Sequence, residues 1–315
     1  MSDLKKKQHY VWRNYLRAWS DNENIWTYFK ELKKIEKPSL MGVAQEKYYY
    51  KLVDFTEEEE NFLRLFIENI SSPLVKDFNL DFLSIFTSAS KLKKSLEQIK
   101  NPSVDKSLLE EQIRRIEINL MEDSHCKFEE LGFQLISYRS LDDLKTILHD
   151  NYHHDGLMFL CFQYFRTRKI KNSVVNKFKG TKYENVMEKS WNILSHAFAL
   201  NVTNSMVLND GIRYVFIENN TDENFITGDQ PVFNLLSDQM DEKGNVLNFE
   251  LYYPLTPKHA LNIHFRTDQV ERFENKHADK ELISYLNKKV IEHSDFYIFS
   301  DTKGQLEKFE SNNWL

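Results

Sequence analysis

The sequence predicts an α+β fold, with a largely helical middle region and a mixed or antiparallel sheet built mainly from the C-terminal third plus one or more N-terminal strands. Three observations carry this reading. From Thr56 to about Val202 apolar residues recur at helical spacing. After Asp210-Gly211 the period switches to two. A separate strand pattern, Ile25 to Phe29, stands near the start and is expected to return to the C-terminal sheet.

In chain order, Trp12, Tyr15, Leu16 and Trp19 fall at i, i+3, i+4 and i+7, one face of a short helix that turns Arg13, Asn14 and Arg17 elsewhere. Ser20 to Asn24 reads as a turn. Ile25 to Phe29 reads as a strand, and Tyr48-Tyr49-Tyr50 is expected to form another. Thr56 with Glu59 makes a capping box ahead of the stripe Phe62, Leu63, Phe66, Ile67 and Ile70. Further helices are expected through Phe82–Phe86, Leu108–Met121, Leu141–Leu148, Leu157–Arg168 and Tyr183 to about Val202. Strands follow at Ile212–Glu218, Asn224–Thr227, Val246–Tyr253, Ala260–Phe265 and Phe296–Ser300, interrupted by a helix over Lys280–Ile291. In the fourth of these strands Leu261, Ile263 and Phe265 alternate with Asn262 and His264. We read residues 1–315 as one interleaved domain. Its sub-regions are an N-terminal motif with strands (1–54), a helical region (55–205) and a sheet-rich region (206–315).

With 315 residues but only 8 Gly and 6 Pro, no linker stands out, and 41% hydrophobic residues supply a large core. A formal net charge of -6 excludes a protein that coats duplex DNA by bulk charge, so any nucleic-acid contact must be local. Two cysteines, Cys126 and Cys161, in no metal-like spacing fit a reducing cytoplasm. No apolar stretch follows the basic start as a signal peptide would, and the longest run, Leu157 to Phe162, is far too short to span a bilayer. We therefore expect no membrane association.

Four constellations could carry chemistry. In Gln8-His9-Tyr10 with Arg13 and Arg17, a histidine could exchange a proton while arginines hold a phosphate; the competing reading is a charged tail and a satisfied histidine at a helix start. In Phe162-Gln163-Tyr164-Phe165-Arg166-Thr167-Arg168-Lys169-Ile170-Lys171, Gln163 interrupts an apolar helical run and Arg166 lies nearly on its face; alternatively the helix simply ends in a solvated basic turn. In Phe225-Ile226-Thr227-Gly228-Asp229-Gln230-Pro231, a strand ends in a carboxylate on a tight turn, able to orient a histidine or to satisfy backbone amides. The run from His149 to Asp155 offers His149 and His153 at i, i+4, but without an HExxH glutamate, and it reads as a loop rather than a metal site. His196, His259, His264 and His293 lack spaced partners. No GxxxxGK[ST], GxGxxG or GxSxG occurs, which argues against P-loop hydrolysis, dinucleotide binding and a standard serine hydrolase.

The segments "KQHYVWRNYLRAWSDNENIWTYFK", "FQYFRTR", "NFITGDQPVF", "YYPLTPKHAL" and "DFYIFS" occur in an order that resembles the bacterial domain-of-unknown-function family numbered 4238, over nearly the whole chain. That family usually has proline after His-Tyr-Val; here the position is Trp12, which changes how the chain enters its helix but leaves His9 in place. The resemblance implies that His9, Gln163, Arg166 and Asp229 belong to recurring motifs, and it implies no reaction.

The expectation from these residues is a single cleft between sheet and helices. There His9 acts as proton donor or acceptor, Asp229 orients it, Arg166 and Arg13 bind phosphate, and Gln8, Gln163 and Arg168 position the substrate. Such a set suits metal-independent phosphodiester cleavage, most naturally of RNA, in a bacterial toxin or defence effector. The rival is a non-catalytic module for a nucleotide, a nucleic-acid end or a partner peptide. A third reading is a metal-dependent nuclease with Asp229 and Glu58 or Glu59 on a divalent ion. No other cofactor is expected, and the oligomeric state is open.

Overall fold

The computed structural model describes residues 4–100, 105–149, 152–242, 244, 246–266 and 271–314. The chain opens with β1 (Lys7–His9), a single turn α1 (Arg13–Leu16) continued by a 3-10 turn to Trp19, then β2 (Ser20–Asp21), β3 (Asn24–Phe29), β4 (Lys34–Glu36) and β5 (Gln45–Lys47). Helices follow: α2 (Glu57–Ile70), α3 (Lys76–Phe86), α4 (Ser88–Gln98), α5 (Lys106–Glu130), α6 (Phe133–Ile136), α7 (Leu141–Lys145), α8 (Tyr152–Phe165), α9 (Arg168–Val175), α10 (Glu184–Lys189) and α11 (Trp191–Val207). The last third holds β6 (Ile212–Asn219), β7 (Thr227–Gly228), β8 (Phe233–Asn234), β9 (Glu250–Thr256), β10 (His259–Phe265), β11 (Phe273–Ala278), α12 (Lys280–His293), β12 (Tyr297–Ser300) and α13 (Lys303–Ser311).

The fold is α+β, helical in its middle. One five-stranded sheet runs β11-β6-β10-β9-β8 and is mixed, because β11 lies parallel to β6 while the other pairs are antiparallel. A second sheet joins the two ends of the chain: β12 pairs antiparallel with β3 and with β7, and β3 carries β4 on its other edge. The N-terminal strand thus does return to C-terminal strands, but in a sheet of its own. β1 and β5 form a separate two-stranded ribbon.

Local chemistry explains most boundaries. Thr56 and Glu59 form the capping box at the start of α2, and Asp105, Ser140 and Asp279 cap α5, α7 and α12 with their side chains. Trp12, Tyr15, Leu16 and Trp19 are buried as their spacing predicts. Tyr15 donates its hydroxyl to the Pro254 carbonyl at 2.8 Å, and Trp19 donates Nε1–H to the Phe225 carbonyl at 2.9 Å, so the aromatic opening is bolted to the sheet-rich region. These residues share one core with Leu157–Phe162 of α8 and with Tyr214, Tyr253 and Leu261 of the sheet. A second core lies between the sheets and α12 and α13, and a third within the helical region around Leu63, Leu83, Met121 and Trp191.

Several expectations need correction. Tyr48–Tyr50 is a turn, with Tyr48 at φ 60°, and the strand lies just before it in β5. The helix expected over Leu157–Arg168 begins earlier, at Tyr152, and stops at Phe165, before α9 starts at Arg168. The run expected over Tyr183 to Val202 is two helices broken at Ser190. Of the strand expected over Asn224–Thr227 only Thr227 pairs, within β7, because the amides of Phe225 and Ile226 are taken by the Pro257 carbonyl and the Asn287 side chain. The strand placed at Val246–Tyr253 runs instead over Glu250–Thr256. His149 lies outside α8, so it shares no helix with His153, whose Nε2 meets the Tyr214 hydroxyl at 2.7 Å; Asp150 and Asn151 of that run lie outside the described residues.

Candidate functional site

The strand alternation of β1 turns Gln8 inward and His9 the other way. Gln8 is fully buried; its amide donates to the Ile118 carbonyl at 2.8 Å and its carbonyl accepts from the Tyr50 amide at 2.7 Å. It ties the opening segment to α5 and to the turn after β5, and it has no group left facing a substrate. His9 is half-buried and donates Nε2–H to the Leu40 carbonyl at 3.3 Å. Burial pushes its imidazole down to about 4, against the Leu40 bond and with help from the charges of Arg13, Arg166 and Lys7. His9 is therefore neutral near neutral pH. Arg13, partly exposed, rests against the Met41 sulfur at 2.6 Å.

Arg166 is 2% exposed; its Nε donates to the Tyr10 carbonyl at 2.9 Å and its Nη2 to Glu129 at 2.7 Å. This interior cation links the opening segment, α5 and the end of α8. Asp229, 3% exposed, accepts the Asp295 and Phe296 amides at 2.8 Å each, which fixes the entry to β12. Burial raises its carboxyl to about 6 against those two bonds. The expected orientation of His9 by Asp229 is not what the hydrogen bonds provide: the ring bonds Leu40, and both carboxylate oxygens serve the backbone. Gln163 is buried, and its Oε1 has no partner among the described residues.

Arg168 is different. It opens α9 at the surface, ion-pairs with Glu46, and places its guanidinium over the rings of Tyr10 at 5.6 Å and Phe296 at 5.0 Å. It thereby joins the opening segment, "FQYFRTR" and "DFYIFS". It also stands at a cleft of about 510 Å³, with Lys171 and Asn172 of the next turn of α9 on the same wall. The cleft is also lined by Lys51, Lys189, Tyr48, Tyr49, Trp191 and Asn192, with Glu46 and Glu188 as the acidic members.

A family model described as "Protein of unknown function (DUF4238)" matches residues 7–304. The chain belongs to this family. No curated protein and no solved structure matches it. The matched span starts at the first residue of β1 and takes in every residue of the DUF4238 cleft.

Charge in this DUF4238 cleft is unevenly balanced. Lys189 is paired with Glu59 at 2.6 Å, and Arg168 with Glu46. Lys51 and Lys171 have no ion-pair partner within 4 Å among the described residues, and burial lowers the Lys171 ammonium, opposed by Glu188 and aided by Arg168. Trp191 is 2% exposed and its indole N–H has no acceptor among the described residues. Among the described residues no group of three or more His, Cys, Asp or Glu is placed to hold a metal ion, and no helix is long and apolar enough to cross a membrane.

Arg168 stood among the sequence candidates, and Lys171 closed the basic run that contained it. Tyr48 and Tyr49 read as strand from their aromatic pattern and lie in a turn instead. Lys51, Lys189 and Trp191 carried no signal, because Lys51 reaches the cleft from a stretch far in sequence from the Lys189–Trp191 junction, and both lie apart from α9.

Proposed function

We propose that the chain is a binding module for a phosphate-bearing nucleotide or nucleic-acid end, held in the cleft beside Arg168. The observation that carries this is the Arg168 guanidinium, oriented by two aromatic rings and one carboxylate at the mouth of a cleft with surplus positive charge. A guanidinium held in that way can take a phosphate through two parallel N–H bonds. Lys171 and Lys51 would neutralise the remaining charge, Tyr48 and Tyr49 offer faces for a base, and Asn172 can reach its polar edge. The volume lies within the roughly 300–1,000 Å³ common for small-ligand sites. The reading places the protein in the cytoplasm, where its two unpaired cysteines would stay reduced.

RNA cleavage is the second reading, favoured by one observation: Nε2–H of His9 is committed to the Leu40 carbonyl, which leaves Nδ1 as the nitrogen that can accept a proton; burial, which holds the ring down to about 4, weakens it as a base. It has less behind it, since Arg166 and Asp229 are committed to interior bonds.

One calorimetric titration addresses the proposal, using AMP, adenosine and a 5′-phosphorylated RNA tetranucleotide. AMP and the RNA should bind, adenosine at least about tenfold more weakly, and Arg168→Ala should cost about tenfold or more, the worth of one charge-assisted pair. Glu46→Gln, which frees Arg168 from its internal partner, should tighten binding. Equal affinity for adenosine, or indifference to Arg168→Ala, would overturn the reading. Incubating the same RNA with wild type and His9→Ala, each with and without EDTA, decides on cleavage.

A further inference from the structure

The walls of α9 serve two clefts. Arg168, Lys171 and Asn172 face the one described above, while Lys169, Ile170, Ser173 and, just beyond the helix, Lys177 line another of about 670 Å³ on the opposite side. The floor of the second cleft is aromatic: Phe233 is buried, and the His293 ring lies flat against it with centroids 4.4 Å apart and planes 15° apart. Tyr164 adds a third ring. The only charged side chains among its described lining residues are Lys169 and Lys177. Lys169 is 3.9 Å from Asp295, a long contact, and Lys177 is exposed with no ion-pair partner among the described residues.

We propose that this cleft is a second binding site, for a small aromatic anion such as an aryl carboxylate or sulfonate, whose ring lies along the Phe233–His293 pair and whose charge is taken by Lys169 and Lys177. The partly exposed rings of His293 and Tyr164 supply area for a flat apolar ring, with Phe233 beneath the imidazole, and two cations with no carboxylate among the described lining residues favour a negative group over a neutral or positive one. His293 does not compete for that charge. Burial holds its imidazole down to about 4, reinforced by Lys169 and Lys289 and opposed by Glu292 and Asp238, so the ring is neutral and acts as surface. Its ring nitrogens have no hydrogen-bond partner among the described residues, which leaves them for the ligand. Nothing in this argument depends on what occupies the Arg168 cleft.

The test uses the full chain and two fluorescent probes of similar shape, anionic 8-anilinonaphthalene-1-sulfonate and uncharged N-phenyl-1-naphthylamine. The anion should saturate a single site and bind about tenfold more tightly than the neutral probe. Lys177→Glu should weaken the anion by about tenfold or more, and Ser237→Trp, which places an indole in the cleft, should weaken it likewise. Lys171→Glu, on the opposite wall of α9, should leave the titration unchanged. Circular dichroism should show all three variants folded, since each altered side chain is partly or fully exposed. The proposal is overturned if Lys177→Glu and Ser237→Trp both titrate like wild type, if the neutral probe binds as well as the anion, or if Lys171→Glu alone abolishes binding, which would put the anion in the first cleft.

Discussion

Replacing Asp229 by alanine would leave the part-buried amides of Asp295 and Phe296 without acceptors, and each orphaned group costs up to about 1–3 kcal/mol. We expect Asp229→Ala to lower stability to urea by about 2–4 kcal/mol while the folded protein keeps its nucleotide affinity. Unchanged stability with lost binding would instead put this carboxylate against the ligand. The same division runs through the other candidates. Gln8 and Arg166 carry polar groups that backbone carbonyls and Glu129 consume, whereas Arg168, two residues past Arg166, keeps its fork at the surface. Residue type marked all of them as polar and therefore suspicious. It could not separate those that hold the chain together from those that face solvent, because that depends on partners more than a hundred residues away, such as Ile118 for Gln8 and Tyr10 for Arg166.

At the level of single elements, Gly228 accounts for part of its motif. A Cβ there would overlap the Ser294 hydroxyl and crowd the Tyr297 carbonyl at 3.1 Å, just where β7 meets β12. Gly228→Ala should therefore force those two strands apart and cost about 1–3 kcal/mol, read as a lower melting temperature; a melt identical to wild type would mean that the junction yields freely. Elements with strong local chemistry were legible in the sequence, such as α2 behind its capping box and β10, where Leu261, Ile263 and Phe265 alternate in type with Asn262 and His264. β11 was not, because Glu274, Asn275, Lys276 and His277 give an exposed edge strand no apolar signature. The short α13 was also missed; only Leu306 and Phe309 are buried in it. The break between α8 and α9 could not be read from propensity either, yet it is what turns Arg168 away from the axis that buries Gln163.

Over the whole molecule, burial keeps many histidines neutral. His9 and His293 are held down to about 4, His196 to about 3, and His125 well below its ordinary value, desolvation leading in each case. Unfolded, these imidazoles take up protons below about pH 6.5, so the stability they confer is present above that pH and drains as pH falls towards 4. Glu122 and Asp229, raised to about 7 and about 6, act in the opposite sense, since the folded state binds their protons first. Glu129 and Asp301 are raised as well, but with His153, His259 and His264 also lowered, seven histidines outnumber four carboxyls. Melting temperature should thus fall between about pH 7 and pH 5, by the equivalent of roughly 1 kcal/mol per pH unit for each net proton, and His196→Gln should flatten the slope. A flat profile would mean that these rings take up protons in the folded protein as readily as in the unfolded chain.

The general architecture was readable from periodicity alone, but the sheet that unites β3 with β12 shows where such reading stops: both strands were visible, and their separate sheet was not. That pairing sets an order of events at the ribosome. β3 leaves the ribosome well over two hundred residues ahead of β12, so the edge that β12 occupies has no occupant over that interval. Throughout it the nascent chain carries an open strand edge bearing Trp26 and Tyr28, a surface that another nascent copy could capture. β12 is therefore also the safeguard of β3, and removing Tyr297–Ser300 would convert a folding unit into a seed for aggregation.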